Sequence, residues 1–335
     1  MSEQETSQSI RLPDPAKLVV SNSPHIRSGQ TIHKVMFGVV AALLPACAAG
    51  IWFFGLAALN VLLLCTVSCV VFEELWNKAM KRPSTWKDGS AIITGLLLGM
   101  NLNAGIPWWV CIIGAFLAII LAKQLFGGLG YNPFNPALVA RVGLLIGFPA
   151  LMTTWDPTRG MLAENVDVVT TATPLSMAPG AAQVTDMLVG NTGGCLGETS
   201  AIALLIGGGI LLALKLIKWE VPAAFIATVA VFTGIAHAAN PHEYASPIVH
   251  VLSGGLLLGA FFMATDMVTS PMTRKGALIF GLGCGLITSL IRLWGNYPEG
   301  VSFSILLMNA LTPLIDRMSM PKPFGYVAPE KGKVA

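Results

Sequence analysis

Gly95-Leu96-Leu97-Leu98-Gly99 recurs later in the chain as Gly255-Leu256-Leu257-Leu258-Gly259, and both copies lie in long apolar stretches. The offset of about 160 residues carries five apolar segments onto five others. An odd number of segments in each half gives the halves opposite orientations, which is the inverted-repeat plan of many transporters. The repeat therefore predicts two five-helix halves, although a chance match between apolar sequences of low complexity is the alternative.

The composition indicates an all-α integral membrane protein. Hydrophobic residues make up 54% of the 335 residues and charged residues 11%, whereas soluble domains carry about 25% charged residues. The mean hydropathy is +0.70. The polar first 30 residues contain no cleavable leader, so the first apolar segment is expected to direct insertion. A net charge of +3 gives no reason to expect a nucleic acid partner, and the partner that the composition predicts is membrane lipid.

Ten segments approach the ~20 apolar residues that a membrane helix needs. They divide the chain into an N-terminal segment, two five-helix halves separated by a polar loop, and a C-terminal tail. The predicted boundaries of these parts are 1–34, 35–152, 153–198, 199–316 and 317–335. The ten segments are about 35–55, 56–73, 89–103, 105–123, 134–152, 199–217, 220–238, 246–265, 275–293 and 301–316.

The distribution of lysine and arginine predicts the orientation of these segments. With ten alternating helices, 17 basic residues fall on the side of the termini and two, Arg159 and Arg292, on the other. Basic residues accumulate on the cytoplasmic side of membrane proteins. Both termini are therefore predicted to be cytoplasmic, and the 153–198 loop to be periplasmic or external.

Asp167-Val-Val-Thr-Thr-Ala-Thr-Pro-Leu175 lies in this loop. A hydroxyl-rich stretch in a water-facing loop between two apolar bundles is a suitable place for a bound group. The structural alternative is a simple turn, because threonine and proline both favour turns.

The remaining polar and glycine motifs suggest structural roles. The Gly-xxx-Gly pairs at 95–99, 255–259 and 281–285 favour close helix packing. Asn135 and Pro136 are typical of a helix start. Asp266 is interpreted as the cap of a helix end rather than an ion site, and Glu73 and Glu74 as parts of a solvated helix end.

The cysteines and Arg141 give no sign of a metal site. Cys65 and Cys69 lie four residues apart on one predicted helix face but lack further ligands at metal-site spacing. Cys195 is interpreted as a free thiol without an evident partner. Arg141 lies within an apolar segment and is expected to find a polar partner or line a cavity.

The pattern Asp-x-x-Thr-x-Ala-Thr at 167–173 closely resembles the flavinylation signature of the Rnf and Na⁺-translocating NADH:quinone oxidoreductase families. Over essentially its whole length the chain resembles the D subunits of Rnf electron transport complexes. Four further motifs occur in that family's order: Ser23-Pro-His25 before Ala41-Ala-Leu-Leu-Pro-Ala46, Gly127-Gly-Leu-Gly130 before Asn132-Pro-Phe-Asn-Pro-Ala137, Gly259-Ala-Phe-Phe-Met-Ala-Thr-Asp266 before Thr269-Ser-Pro-Met-Thr273, and Ile305-Leu-Leu-Met-Asn-Ala310 before Pro313-Leu-Ile-Asp316.

The resemblance implies a membrane subunit of an ion-translocating ferredoxin:NAD⁺ oxidoreductase that couples electron flow to Na⁺ or H⁺ movement. It implies FMN joined to Thr173 by a phosphoester bond, installed by a separate flavin transferase. Asp167 would help present the motif. The family often has Ser or Gly where this chain has Thr171, which leaves Thr170 and Thr171 as competing hydroxyls.

Further expectations follow from the same resemblance. A second, non-covalent flavin (riboflavin) is expected among the helices, although no residue in the sequence marks its site. The expected partners are the A, B, C, E and G proteins of the Rnf complex, and the expected location is the bacterial cytoplasmic membrane. A small-solute channel or transporter is the alternative function, because of the repeat and the Asn-Pro-Ala motif at 135–137.

Overall fold

The computed structural model describes residues 31–156, 158, 172–175, 183–295 and 299–321. These residues form helices and connections without any strand, so the predicted all-α fold is confirmed. Thirteen α-helices occur in the described part of the chain: α1 Ile32–Phe54, α2 Leu56–Ala79, α3 Ser90–Met100, α4 Trp108–Phe116, α5 Pro136–Gly147, α6 Pro149–Met152, α7 Val184–Val189, α8 Ala201–Ala213, α9 Glu220–Ala239, α10 Pro247–Leu252, α11 Leu256–Leu258, α12 Arg274–Trp294 and α13 Val301–Ser319.

Among the described helices, α1, α2, α9 and α12 are long and apolar enough to span a membrane. Shorter apolar helices, including α3, α5 and α8, lie beside them. Two helices continue as π-helix, α4 over Leu117–Gln124 and α11 over Gly259–Met263. The chain is thus a multi-pass membrane protein.

Several predicted membrane segments are interrupted. The 246–265 segment breaks between α10 and α11, where Gly254 and Gly255 have φ of +68° and +65°, values that glycine adopts without the Cβ clash of other residues. The 89–103 segment stops being helical at Met100, and Asn101 then bonds through its side chain to the carbonyl of Leu97 at 2.6 Å. The prediction of one continuous helix in each of these segments is wrong.

The glycine pairs serve helix packing, as predicted. A Cβ on Gly95 of α3 would lie 2.5 Å from the Cα of Thr66 in α2. A Cβ on Gly281 of α12 would lie 2.7 Å from the carbonyl oxygen of Val221 in α9. Small residues let membrane helices approach closely enough for van der Waals contact along their backbones. These glycines therefore fix the spacing of α2 with α3 and of α9 with α12.

The start of α5 has the cap that the sequence predicts. The side chain of Asn135 accepts a hydrogen bond from the backbone N–H of Ala137 at 3.1 Å, and Pro136 occupies the first turn. Proline there sacrifices no helical hydrogen bond. Asn135 also donates to the carbonyl of Met263 at 3.2 Å, so the start of α5 is tied to the π-helical end of α11.

Candidate cofactor sites

The bundle has two ends, here called the loop end, which bears residues 153–198, and the cavity end opposite it. At the loop end, Thr173 is 5% exposed and Pro174 is also buried. We predicted an exposed hydroxyl at Thr173, and that prediction is wrong for this conformation. The reason is that Pro174 and Leu175 are apolar and pack onto the bundle. Asp167, Thr170 and Thr171 lie outside the described residues.

Leu175 lies at the break between α10 and α11. A Cβ on Gly254 would meet both Leu175 Cδ1 and Arg292 Nη2. A side chain at this position would therefore push Leu175 and Arg292 away, in addition to straining the backbone. The break thus holds the segment that follows Thr173 next to an arginine.

Arg292, near the end of α12, closes the break. Its guanidinium donates to the carbonyl oxygens of His250, Ser253 and Gly254, the last two at 3.1 and 3.0 Å. These carbonyls lie at the C-terminal end of α10, where the helix dipole favours a cation. The Nε atom of Arg292 is buried and has no hydrogen-bond partner among the described residues.

A second polar cluster lies beside the break. Arg141 of α5 contacts Glu299 and the side-chain oxygen of Asn101, and its Nη2 lies 3.3 Å from Cys195 Sγ and 4.0 Å from Glu198 Oε1. The Cys195 thiol donates to the Asn101 carbonyl at 3.2 Å. The expectation that Arg141 finds a polar partner is confirmed. The interpretation of Cys195 as a thiol without a partner is wrong, because the connection between α7 and α8 folds inward.

This cluster has the spacing of a metal site but the charge balance of an ion-pair network. One ligand atom each of Cys195, Glu198 and Glu299 lie within 4.8 Å of one another. Burial raises the pKa of the Cys195 thiol to about 12, so the thiol is protonated near neutral pH, whereas metals bind the thiolate. Arg141 already supplies the positive charge. We therefore assign no metal to this cluster.

A cavity opens at the cavity end, with an empty volume of about 820 Å³ including its mouth. Its walls are mostly apolar, and a few polar side chains enter from different helices, as is usual in small-molecule sites. The polar lining residues are Ser90, Thr94, Lys123, Asn132, Asn135, Thr265 and Asp266.

A buried ion pair supports one wall of this cavity. Lys123, at the π-helical end of α4, lies 3.0 Å from Glu73 Oε1 and 2.7 Å from Ser90 Oγ, and both charged side chains are 2% exposed. The interpretation of Glu73 as part of a solvated helix end is wrong, because α2 and α4 pack together over it. Glu74 does fit that interpretation, since it pairs with the exposed Lys78 at 3.9 Å.

Asp266 caps a turn, as predicted, and also lines the cavity. Its carboxylate accepts hydrogen bonds from the backbone N–H of Val268 at 3.4 Å and from the hydroxyl of Thr269 at 3.2 Å. The cavity therefore presents a fixed cation, Lys123, and a carboxylic acid group, Asp266, on different helices.

Sequence reasoning missed Lys123, Glu73 and Arg292. Each lies near a segment end, where charged residues are usually solvated, and nothing in the sequence places Glu73 opposite Lys123 across 50 residues. The one usable signal was that Arg292 is one of only two basic residues on the loop side.

The apolar bundle, its broken helices and its enclosed polar sites define a multi-pass membrane protein with room for organic cofactors. The chain belongs to the NQR2, RnfD, RnfE family, whose model matches residues 19–325.

Three relatives, each the D component of its complex, show how far the similarity extends. The chain is 45% identical to that of the proton-translocating ferredoxin:NAD(+) oxidoreductase complex of Clostridium ljungdahlii, over 91% of this chain and 96% of the relative. It is 44% identical to that of the Na(+)-translocating ferredoxin:NAD(+) oxidoreductase complex of Acetobacterium woodii, over 94% and 97%. It is 42% identical to that of the ion-translocating oxidoreductase complex of Stutzerimonas stutzeri, over 91% and 95%.

Proposed function

We propose that this chain is the D-type membrane subunit of an ion-translocating ferredoxin:NAD⁺ oxidoreductase and carries FMN covalently on Thr173. The observation that carries the proposal is the identity of 44–45% with two such subunits over more than nine-tenths of the chain. The Asp-x-x-Thr-x-Ala-Thr pattern at 167–173 supports the flavin. The complex would include the A, B, C, E and G proteins in the bacterial cytoplasmic membrane, with Na⁺ or H⁺ as the coupling ion.

Attachment of FMN needs an accessible hydroxyl. A flavin transferase would join the Thr173 oxygen to the FMN phosphorus of FAD. The pyrophosphate bond breaks, AMP leaves, and the hydroxyl proton passes to a base. Because Thr173 is 5% exposed when its segment is packed, we propose that transfer precedes this packing. The buried cation of Arg292 beside the segment is compatible with a phosphodiester anion.

A non-covalent flavin fits the cavity at the opposite end. Flat apolar walls from residues such as Val39, Leu97 and Phe262 suit the faces of a tricyclic ring, and polar groups such as Asn132 and Lys123 suit its hydrogen-bonding edge. The flavin supplies one- and two-electron redox chemistry when bound. The protein orients it, excludes water and fixes the charge beside it.

We prefer this redox function to a small-solute channel. The broken α10–α11 helix is a feature of transporters, but Lys123 and Arg141 fill the bundle interior with paired charges. A channel would move solute in liposomes as an isolated protein without a bound chromophore. The redox subunit would carry flavin and require its partners for activity.

The test measures both flavins in one preparation. The chain is co-expressed with a flavin transferase, and covalent flavin is read as in-gel fluorescence after denaturation, while non-covalent flavin is extracted with acid. We expect Thr173→Ala to abolish the fluorescence and leave the extractable flavin. Val39→Trp, which fills the cavity, should give the reverse result. Thr170→Ala and Thr171→Ala are the matched controls for the first change, and Val231→Trp, at a 58% exposed position, is the control for the second.

Fluorescence that persists in Thr173→Ala would contradict the assignment of this residue. Extractable flavin that is unchanged in Val39→Trp would contradict the cavity assignment. A wild-type chain without any flavin would remove the redox proposal itself.

A further inference from the structure

We propose that Arg292 binds the phosphodiester of the FMN on Thr173 and so positions the covalent flavin at the loop end. This inference rests on the proposed function, because it requires FMN on Thr173. It names the residue of this chain that would hold the phosphate.

The first support is proximity. Leu175 Cδ1 and Arg292 Nη2 both reach the point where a Cβ on Gly254 would lie. Thr173 is two residues before Leu175, and two residues of extended chain span at most about 7 Å. The Thr173 hydroxyl is thus held within the reach of an arginine side chain from this contact.

The second support is charge. In the described part of the chain, no carboxylate oxygen lies within 4.0 Å of the Arg292 guanidinium, whereas Arg141 has both Glu299 and Glu198 within that distance. The three carbonyl partners of Arg292 carry only the partial charge of a helix end. A cation that is withdrawn from water is stabilised by a nearby anion, and a phosphodiester carries one negative charge.

The third support is hydrogen-bonding capacity. A guanidinium has five N–H donors, and Arg292 uses three of them on the carbonyls of residues 250, 253 and 254. One of the remaining donors is on Nε, which is buried and has no partner among the described residues. Guanidinium donors and phosphate oxygens are well matched in geometry and charge.

Glu198 lies close enough to oppose an anion here, since its Oε1 would be 3.0 Å from a Cβ on Gly255. Burial raises the pKa of the Glu198 carboxyl, although Arg141 and Arg292 oppose this shift. A carboxyl with a raised pKa is more often neutral, which weakens its repulsion of a phosphate.

The test compares each protein with and without FMN, by expression with and without the flavin transferase. The measured quantity is the rise in thermal midpoint that FMN attachment causes in detergent. We expect a rise of about 2–4 °C in the wild type, as a contact worth about one ionic hydrogen bond gives in a chain of this size. Arg292→Lys should keep much of the rise, because it keeps the charge, and Arg292→Gln should lose it. Arg159→Gln, which removes the other basic residue on the loop side, is the matched control.

An equal rise in the wild type and Arg292→Gln would overturn the inference. If Arg292→Gln does not fold, phosphorus-to-nitrogen dipolar recoupling on wild-type protein with ¹⁵N-labelled arginine gives the same decision. We expect coupling between the FMN phosphorus and guanidinium nitrogen that disappears in Arg292→Lys and persists in Arg159→Gln. Absence of coupling in a wild-type sample that shows in-gel flavin fluorescence would overturn the inference but leave the covalent flavin intact. Absence of fluorescence would instead remove the proposed function.

Discussion

Glu73 and Lys123 carry opposite charges in a part of the bundle that excludes water. Each is about 2% exposed, and Ser90 and Gln124 complete their hydrogen bonds. Moving charged groups out of water is costly, and mutual attraction recovers that cost only when the geometry is good. The pair is therefore better evidence for a defined wall of the cavity than for a large gain in stability.

Removing one partner should be far more damaging than the pair is stabilising. Glu73→Gln keeps the shape of the side chain but leaves Lys123 as a buried cation without its carboxylate. We expect a loss of about 3–5 kcal/mol in the free energy of unfolding, measured by thermal or denaturant unfolding in detergent. Glu74→Gln is the matched control, because Glu74 pairs with a Lys78 side chain that is 73% exposed, and exposed pairs are worth about 0–1 kcal/mol. Similar losses in both variants would contradict a special role for the buried pair.

At the scale of helices, glycines act in two different ways. Gly254 and Gly255 break a helix through their positive φ, whereas Gly281 keeps regular helix geometry and brings α12 against α9. The two roles look alike in the sequence, where both kinds of glycine occur in apolar runs. Only the partner that faces each glycine distinguishes them.

The packing role predicts a size limit at Gly281. A methyl group there would lie 2.7 Å from the Val221 carbonyl oxygen and 2.8 Å from the Ala224 Cβ. We expect Gly281→Ala to cost about 1–3 kcal/mol through overpacking, measured as a lowered midpoint of unfolding. Gly209→Ala in α8 is the control, since nothing lies within 4 Å of the added methyl group. It should be neutral or stabilising, because alanine favours a helix. Stabilisation by Gly281→Ala would show that α9 and α12 can separate freely.

At the scale of the molecule, the strongest sequence signals concerned the class and family of the protein. Apolar segments predicted the helices, and Asn135 with Pro136 predicted a helix start, because both depend on local residues. The breaks at residues 101 and 253–255 and the contact of Lys123 with Glu73 depend on residues distant in sequence. The same limit applies to the site at the loop end, where the sequence singles out Thr173 but not the break that receives Leu175 or the arginine beside it.

The orientation of the whole molecule remains a prediction from the basic residues, and it can be measured with an impermeant thiol reagent on intact cells. All six native cysteines are buried, which makes the background labelling low. Arg159→Cys, on the loop side, should be labelled from outside, whereas Lys81→Cys, between α2 and α3, should be labelled only after the cells are opened. The reverse pattern would invert the topology and place Thr173 on the cytoplasmic side.

The two π-helical stretches make the cavity sensitive to chain length. Leu117–Gln124 carries Lys123, and Gly259–Met263 carries Phe261 and Phe262, so both stretches supply cavity walls. A π-turn accommodates an additional residue relative to α-helix. Deleting one residue from either stretch would restore ordinary helical winding and rotate everything beyond it by about a quarter turn. Lineages of this family should therefore accept many substitutions around the cavity, yet tolerate no single-residue deletion in these two short runs.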